Sequence, residues 1–449
     1  MNGSGSAASA RRYLRAAQVV TAGERGVIQD GVVVVEGSRI AAVGPASDLA
    51  AELPPEGVQE FPNGTLLPGL VDAHAHLTLA ADRRTYEQMV LDPDEMMALV
   101  SVRNMQRHLA CGVTTLRDNG GRNRVTFIVR EAINRGYFIG PRLLLSGRPV
   151  THSYGHFYWC NGVADGAVAI RAAVRQLVAE GADHIKIMAS GGATAGNIPY
   201  YASYDAEELR VAVEAAHALG RLTTAHCRAK QSMINAVEAG LDCIEHAEFL
   251  VPGEVVEYGG GVASSGVMQY DPHVTERLLQ AGLFVSFTFQ AGGYDSLVEL
   301  RTKQEQGERL TAEEQRRRDA LEHYYEMKLG IFQRLLEDGM RPRLVVSSDA
   351  GPFDCEFGRM HYGLELAVQG GLTPLQAIEA ATRLAADCCG VGQIVGTLEP
   401  GKEADLLVVR GDPLKDIRQM ADVWAVYKGG QHVAPSPCSA LLPGIVPVA

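Results

Sequence analysis

The chain has 449 residues, 46% of them hydrophobic and 21% charged, with a formal net charge of −12 at pH 7. That length exceeds one small core and fits a large domain with an accessory one, in the composition range of a soluble globular protein. The negative balance argues against nucleic acid or an anionic membrane as the main partner, since both select basic patches, and no apolar run reaches the length of a membrane span.

Residues 1–10, MNGSGSAASA, read as a flexible tail, and the stretch up to Gln18 lacks the continuous apolar core of a signal peptide. The eight cysteines are scattered without a CxxC, so a reduced, cytoplasmic protein is expected, with Cys388 and Cys389 as packing residues. AAQVVTA and GVVVVEGSRIAAVG alternate as strands around turns, and GTLEPGKEADLLVVRGDP and VWAVYKGGQHV repeat this pattern near the other end. Residues 11–65 and 387–449 are therefore expected to meet in a small β-sandwich-like domain built from both termini.

Between them, over residues 66–386, eight apolar runs alternate with helical periodicity: LLPGLVDAHAH, GVTTLRD, RLLLSG, HIKIMAS, RLTTAH, CIEHA, LFVSFTF and RLVVSSDAG. Repeated strand–helix alternation predicts an α/β fold of the (β/α)8, TIM-like barrel type. An open nucleotide-binding sheet would need a Gly-rich loop after its first strand, and no GxGxxG or P-loop occurs. The charged stretch 301–330, RTKQEQGERLTAEEQRRRDALEHYYEMKLG, reads as one long helix before the eighth strand, a solvated insertion in preference to a subunit or substrate contact.

Ionisable residues sit near the ends of these runs. His74 and His76 are two apart, on one face of a strand, and neutral imidazole is the commonest ligand for zinc-like ions. Lys186, His226, His246 and Asp349 each stand near the end of a later run. A (β/α)8 barrel gathers such groups where the C-terminal strand ends converge. In the order His-x-His, Lys, His, His, Asp, the set resembles the amidohydrolase superfamily. The closer resemblance is to its imidazolonepropionase-like and prolidase-like branch of metal-dependent amidases and dipeptidases, from about Ala17 to His432.

The resemblance implies a binuclear centre, with His74, His76 and Asp349 on one divalent ion and His226 and His246 on the second. These donors suit Zn²⁺, and Mn²⁺, Fe²⁺ or Co²⁺ would also bind. An ammonium cannot ligate a metal, so the resemblance implies that carbon dioxide is held at Lys186 as a bridging carbamate. Two ions can activate water and polarise a carbonyl together, and Asp349 would move the proton from water to the leaving amine. The expected reaction is cleavage of an amide-type C–N bond by a metal-bridging hydroxide, in a dipeptide, N-acyl amino acid, or aryl amide or carbamate. Three alternatives stay open. A ring-opening cyclic amidase or deaminase has Lys186 against it. A phosphotriesterase or lactonase could use the same metal core. A non-catalytic barrel has the retention of all six ligand positions against it.

Loops would supply contacts to the small-molecule substrate. His156, after Gly155 in RPVTHSYGHFYW, would polarise the carbonyl or hold a carboxylate, and His152 and Tyr154 share its loop. Tyr200, Tyr201 and Tyr204 would form a lid after the fourth strand, excluding water on closure. Arg228 would pair with a substrate carboxylate or face solvent. Phe289 and Gln290 would end the seventh strand toward the pocket, and His184 would pack as a core residue beside Lys186. Prolidase-like relatives usually read AHAxG where this chain reads AHCRA, a departure at the expected specificity wall. A barrel of this size is compatible with a homo-oligomer, and no segment identifies an interface.

Overall fold

In the computed structural model, residues 11–258 and 262–433 are described; the expected tail at 1–10 and the end of the expected accessory domain lie outside them. The Val-rich opening forms β1 (Arg11–Val20), β2 (Val27–Glu36), β3 (Arg39–Pro45) and β4 (Val58–Pro68). From β4 the chain passes through Gly69, where a Cβ would lie 2.2 Å from Thr114 Oγ1, directly into the barrel. Only glycine permits that crossing.

The barrel strands follow in chain order: β5 (Leu70–Ala75), β6 (Val113–Asp118), β7 (Arg142–Leu145), β8 (His184–Met188), β9 (Leu222–Ala229) and β10 (Cys243–Tyr258). After β11 (Val262–Met268) come β12 (Phe284–Thr288) and β13 (Leu344–Ser347). β5 to β7 pair in parallel as one arc, and β8, β9, β10, β12 and β13 as a second. Parallel bridges Val150–Ile187 and Ala75–Ala350 link the arcs at both seams. The result is a TIM-like barrel whose strands β5, β6 and β8 are buried throughout, which accounts for their near-continuous apolar runs. One addition escapes periodicity: β10 overshoots the barrel and pairs antiparallel with β11 as a two-stranded ribbon.

Helices on the outside present apolar stripes to the strands, including Asp94–Ala110, Gly166–Glu180 and Ala206–His217. The stretch 301–330 corrects its expectation. It is divided between helices Tyr294–Glu305 and Ala312–Glu337, broken at Gly307 (φ +81°) and restarted by the Thr311–Glu314 capping box. Its second half is not solvated all round, because Leu321, Tyr324, Tyr325, Lys328 and Phe332 are buried. Similarly, TPLQAIEAATRLAA forms two short helices, Pro374–Ala380 and Arg383–Cys388, with Thr382 out of helical geometry between them.

β14 (Leu406–Arg410), β15 (Val423–Lys428) and β16 (Gln431–Val433) then return to β4. Both chain ends therefore meet in one seven-stranded sheet, ordered β16-β15-β14-β4-β1-β2-β3. The described strands of the expected sandwich-like domain bond into this single sheet through the β14–β4 pairing. No helix among the described residues is long and apolar enough to cross a membrane.

Candidate metal centre

Five strands deliver the six predicted ligands to one end of the barrel. The Nε2 atoms of His74 and His76 face each other at 3.2 Å, and Asp349 Oδ1 lies 3.3 Å from the first and 3.4 Å from the second. His246 Nδ1 is 3.8 Å from Asp349 Oδ2, and His246 Nε2 is 2.8 Å from His226 Nδ1. His74, His246 and Asp349 each offer a ligand atom within 4.8 Å of the others. Lys186 is fully buried, and neither its Nζ nor Asp349 Oδ1 has a hydrogen-bond partner. Buried polar atoms left unpaired are costly, and here they accompany imidazole nitrogens that converge lone pair to lone pair. The donor set fits divalent cations.

The electrostatics agree with that fit. Burial holds His226 and His246 well below the ordinary imidazole range, and burial with the nearby Lys186 charge lowers His74. These rings are neutral at pH 7, the form that ligates metal. Burial also lowers Lys186 against the opposing pull of Glu245 and Asp349, favouring the free amine that adds carbon dioxide. Burial pushes Asp349 up, yet His74, His76 and Lys186 outweigh it and hold the carboxyl below its usual range.

Backbone strain concentrates at the same place. His246 (φ +70°), Ala247 (φ +52°), Phe249 (φ +53°) and Asp349 (φ +61°) occupy the left-handed region without being glycine. The β9–β10 register shifts between His246 and Leu250. Such positions cost on the order of 1–3 kcal/mol each and persist where surrounding structure over-determines them.

Several supporting residues were missed by sequence reasoning. Glu245 accepts hydrogen bonds from His74 Nδ1 (2.7 Å), Arg117 Nη2 (2.9 Å), Asn119 Nδ2 (3.1 Å) and Thr224 Oγ1 (2.5 Å). That contact places the His74 proton on Nδ1 and leaves Nε2 for a metal. Asp72 accepts from the backbone N–H groups of His74 and Ser348 (3.2 and 3.1 Å) and from His108 Nε2 (2.8 Å), so it ties β5 to the residue before Asp349. Buried Asp118, pushed up to about 6 by desolvation, accepts from Leu77 N beside His76. The signal was a charge inside each apolar run, as in LVDAHAH, TTLRD and CIEHA.

An open cavity of about 1020 Å³ lies over the centre, with His76, His156, His226, Arg228, His246 and Asp349 in its lining. Tyr86, Phe157, Tyr324 and Phe353 supply aromatic walls, so the helix Ala312–Glu337 contributes to the site it was expected to avoid. His156 Nδ1 is 2.8 Å from Thr194 Oγ1, and burial keeps its ring neutral. Arg228 does not face solvent. Its Nε donates to Glu248 Oε2 at 2.7 Å, and Glu248 Oε1 accepts from Tyr324 (2.9 Å).

Other expected contacts lie elsewhere. His152 bonds the Ser153 carbonyl at the surface, and Tyr154 and Tyr201 are 64% and 55% exposed, none of them lining this cavity. Gln290 is fully buried and donates to Asp295 and the Glu356 carbonyl, because its amide turns into the barrel wall. Phe289 packs on Phe287 and Phe332, with ring centroids 4.7 Å away in each case. Tyr204 is buried with its hydroxyl on the Ala164 carbonyl, an anchor rather than a lid residue. His184 packs as expected, 3.0 Å from Asn119 Oδ1. The seven described cysteines are free thiols, with Cys243 and Cys388 Sγ atoms 3.5 Å apart.

Comparison with known proteins agrees with this architecture. The profile of the Amidohydrolase family matches residues 65–433, and that of the imidazolonepropionase-like composite domain of bacteria matches residues 31–54. Ochratoxinase from Aspergillus niger is 28% identical over 439 residues, covering 90% of this chain and 83% of that protein. The crystal structure of A. niger ochratoxinase superposes with a TM-score of 0.73 at 26% identity, covering 94% of this chain and 95% of the other. A Xaa-Pro dipeptidase with bound methionine in its active site has the same fold, with a TM-score of 0.76 at 23% identity, covering 94% of this chain and 100% of that one.

Proposed function

The chain belongs to the amidohydrolase family and is a hydrolytic enzyme acting on amide bonds, and from that premise we propose that it cleaves the C–N bond of a small N-acyl amino acid, dipeptide or aryl amide at a binuclear metal centre. The residues proposed to hold the ions are His74, His76, Lys186, His226, His246 and Asp349, with Lys186 bridging as a carbamate. One observation carries this reading: five strand ends converge, and within them Lys186 Nζ and Asp349 Oδ1 are buried without hydrogen-bond partners. The likeness to a dipeptidase and to ochratoxinase supports chemistry at a C–N bond.

When bound, divalent ions of the Zn²⁺ type supply Lewis acidity and lower the pKa of water. Asp349, held ionised, takes a proton from the attacking water and returns it to the leaving nitrogen. His156 is set to bind the carbonyl oxygen. The tautomer this reading takes has the Thr194 hydroxyl, which accepts from the Phe157 backbone N–H at 3.2 Å, donating to His156 Nδ1. The ring then carries its proton on Nε2, where it donates to substrate. Tyr86, Phe157 and Phe353 exclude water around an apolar group. Free thiols throughout the described chain support a reducing, cytoplasmic setting.

The test is metal content per chain, measured with electron density at Lys186 in crystals grown with zinc and bicarbonate, beside hydrolysis of N-acyl amino acids, dipeptides and aryl amides. Two ions, a carboxylated lysine and amide turnover are expected. One ion with a bare lysine overturns the binuclear reading.

A further inference from the structure

Three guanidinium groups line the cavity, and they differ in how their charge is met. Arg83, 54% exposed at the mouth, pairs with Glu299. Arg228, at the floor, pairs with Glu248. Arg317 has no carboxylate within 4 Å among the described residues: its Nη2 donates to Ser296 Oγ at 2.8 Å, and its Nε is buried without an acceptor. We propose that Arg317 is the receptor for a carboxylate carried by the substrate, so that the enzyme takes amides bearing a free carboxylate. The assignment rests on the amide-hydrolase reading for what is cleaved, and on Arg317 alone for what is bound.

The helix Ala312–Glu337 is built to present this residue. Arg317 stands seven positions before Tyr324, two turns along the same face, and both side chains reach the cavity. Leu321 lies between them against the turn at Gly292 and Gly293, each at φ +103°. A Cβ at Gly293 would sit 2.9 Å from Leu321 Cδ2, and one at Gly292 would sit 2.5 Å from the Tyr324 ring, so glycines permit the close approach. Ser296 fixes the guanidinium: its backbone N–H donates to Asp354 Oδ2 at 3.1 Å and its hydroxyl donates to the same oxygen. The serine oxygen is thereby turned to accept from Arg317. A cation with an unmet donor, held in place beside a cavity, is satisfied by an anionic ligand. A guanidinium matches a carboxylate in both charge and planar geometry. Neutral imidazoles at the floor, aromatic walls and a cation that meets Asp354 only through the Ser296 hydroxyl describe an amide with an apolar group and a carboxylate.

The experiment compares N-benzoyl-L-phenylalanine with its primary amide, which differ only in that charge. Calorimetric titration of the full chain freed of metal by chelation gives binding without turnover. Benzoate release by the zinc-loaded enzyme gives hydrolysis. The wild type is expected to bind the acid at least tenfold more tightly than the amide, Arg317→Gln to bring the two within about twofold, and Arg317→Lys to fall between. Affinity for the neutral amide is expected to change less across the three than affinity for the acid. A charge preference that survives in Arg317→Gln, or its absence from the wild type, overturns the proposal. Should the glutamine variant not fold, an unaltered preference in Arg317→Lys overturns it equally, because lysine lacks the fork. Charge-dependent binding without benzoate release would leave the carboxylate site standing and remove the amide reading. Release without charge preference would do the reverse.

Discussion

Glu245 shows how much of this centre depends on residues that touch no substrate. It is fully buried, receives His74 and Arg117 together, and is held well below the usual carboxylate range because its interactions with His74, Arg117 and Lys186 outweigh burial. Glu245→Gln keeps the shape but removes the anion that orients His74. It is expected to weaken zinc retention by about 10–100-fold, read by chelator competition; unchanged retention would deny Glu245 its role. Lys186→Met keeps the stem and removes the amine, so on the proposed binuclear reading metal analysis should show one ion in the variant and two in the wild type. The six ligand positions were legible because they stand near the ends of five apolar runs, His74 and His76 sharing the first. Glu245's partners were not: they come from β5, β6 and β9, and no local pattern joins residues 171 apart, as Glu245 and His74 are. For the same reason strand position placed Gln290 near the rim but could not show its amide captured by Asp295.

At the scale of elements, the helix Ala312–Glu337 is where sequence reading went furthest astray. Its first turns carry Glu313, Glu314, Arg316, Arg317 and Arg318, and that charge run masks the stripe that begins at Leu321 and continues through Tyr325, Lys328, Phe332 and Leu335 at helical spacing. Phe332 packs against Phe287 and Phe289 under the rim of the barrel. Phe332→Ala is expected to cost about 3–5 kcal/mol in urea unfolding, as deletion of a buried aromatic does. A loss below about 1 kcal/mol would mean that the helix is only an insertion on a self-sufficient barrel. The barrel strands themselves were legible because parallel strands covered on both faces are continuous apolar runs. The β10–β11 ribbon was not, since β10 continues without a break beyond the length such a run predicts.

At the scale of the whole molecule, the chain brings buried titratable groups from separate strands to one place, and acid should expose that cost. His74, His156, His184, His226 and His246 all lie below their ordinary value of 6.5, chiefly through burial. Above pH 6.5 both the folded and unfolded chains carry them neutral, and they contribute nothing to the pH dependence. As pH falls below 6.5 the unfolded chain takes up protons that the folded chain refuses, so stability drops, by up to about 1.4 kcal/mol per pH unit for each histidine. Glu245 and Asp349 are shifted the other way, below 4.5 and 3.8, so what they contribute is intact until lower pH. Between pH 6.5 and 4.5 the decline belongs to the histidines, opposed in smaller number by Asp118 and Asp295, whose carboxyls burial raises to about 6 and about 8. For the chelated chain the urea midpoint should therefore fall steeply from pH 7 to pH 5. Zinc should raise it at pH 7 in proportion to the logarithm of free metal, and progressively less as the ligand nitrogens compete for protons. A flat profile in the chelated chain would mean that these rings open to water without unfolding. The barrel would then no longer be holding its metal ligands dry and neutral in advance of the ions.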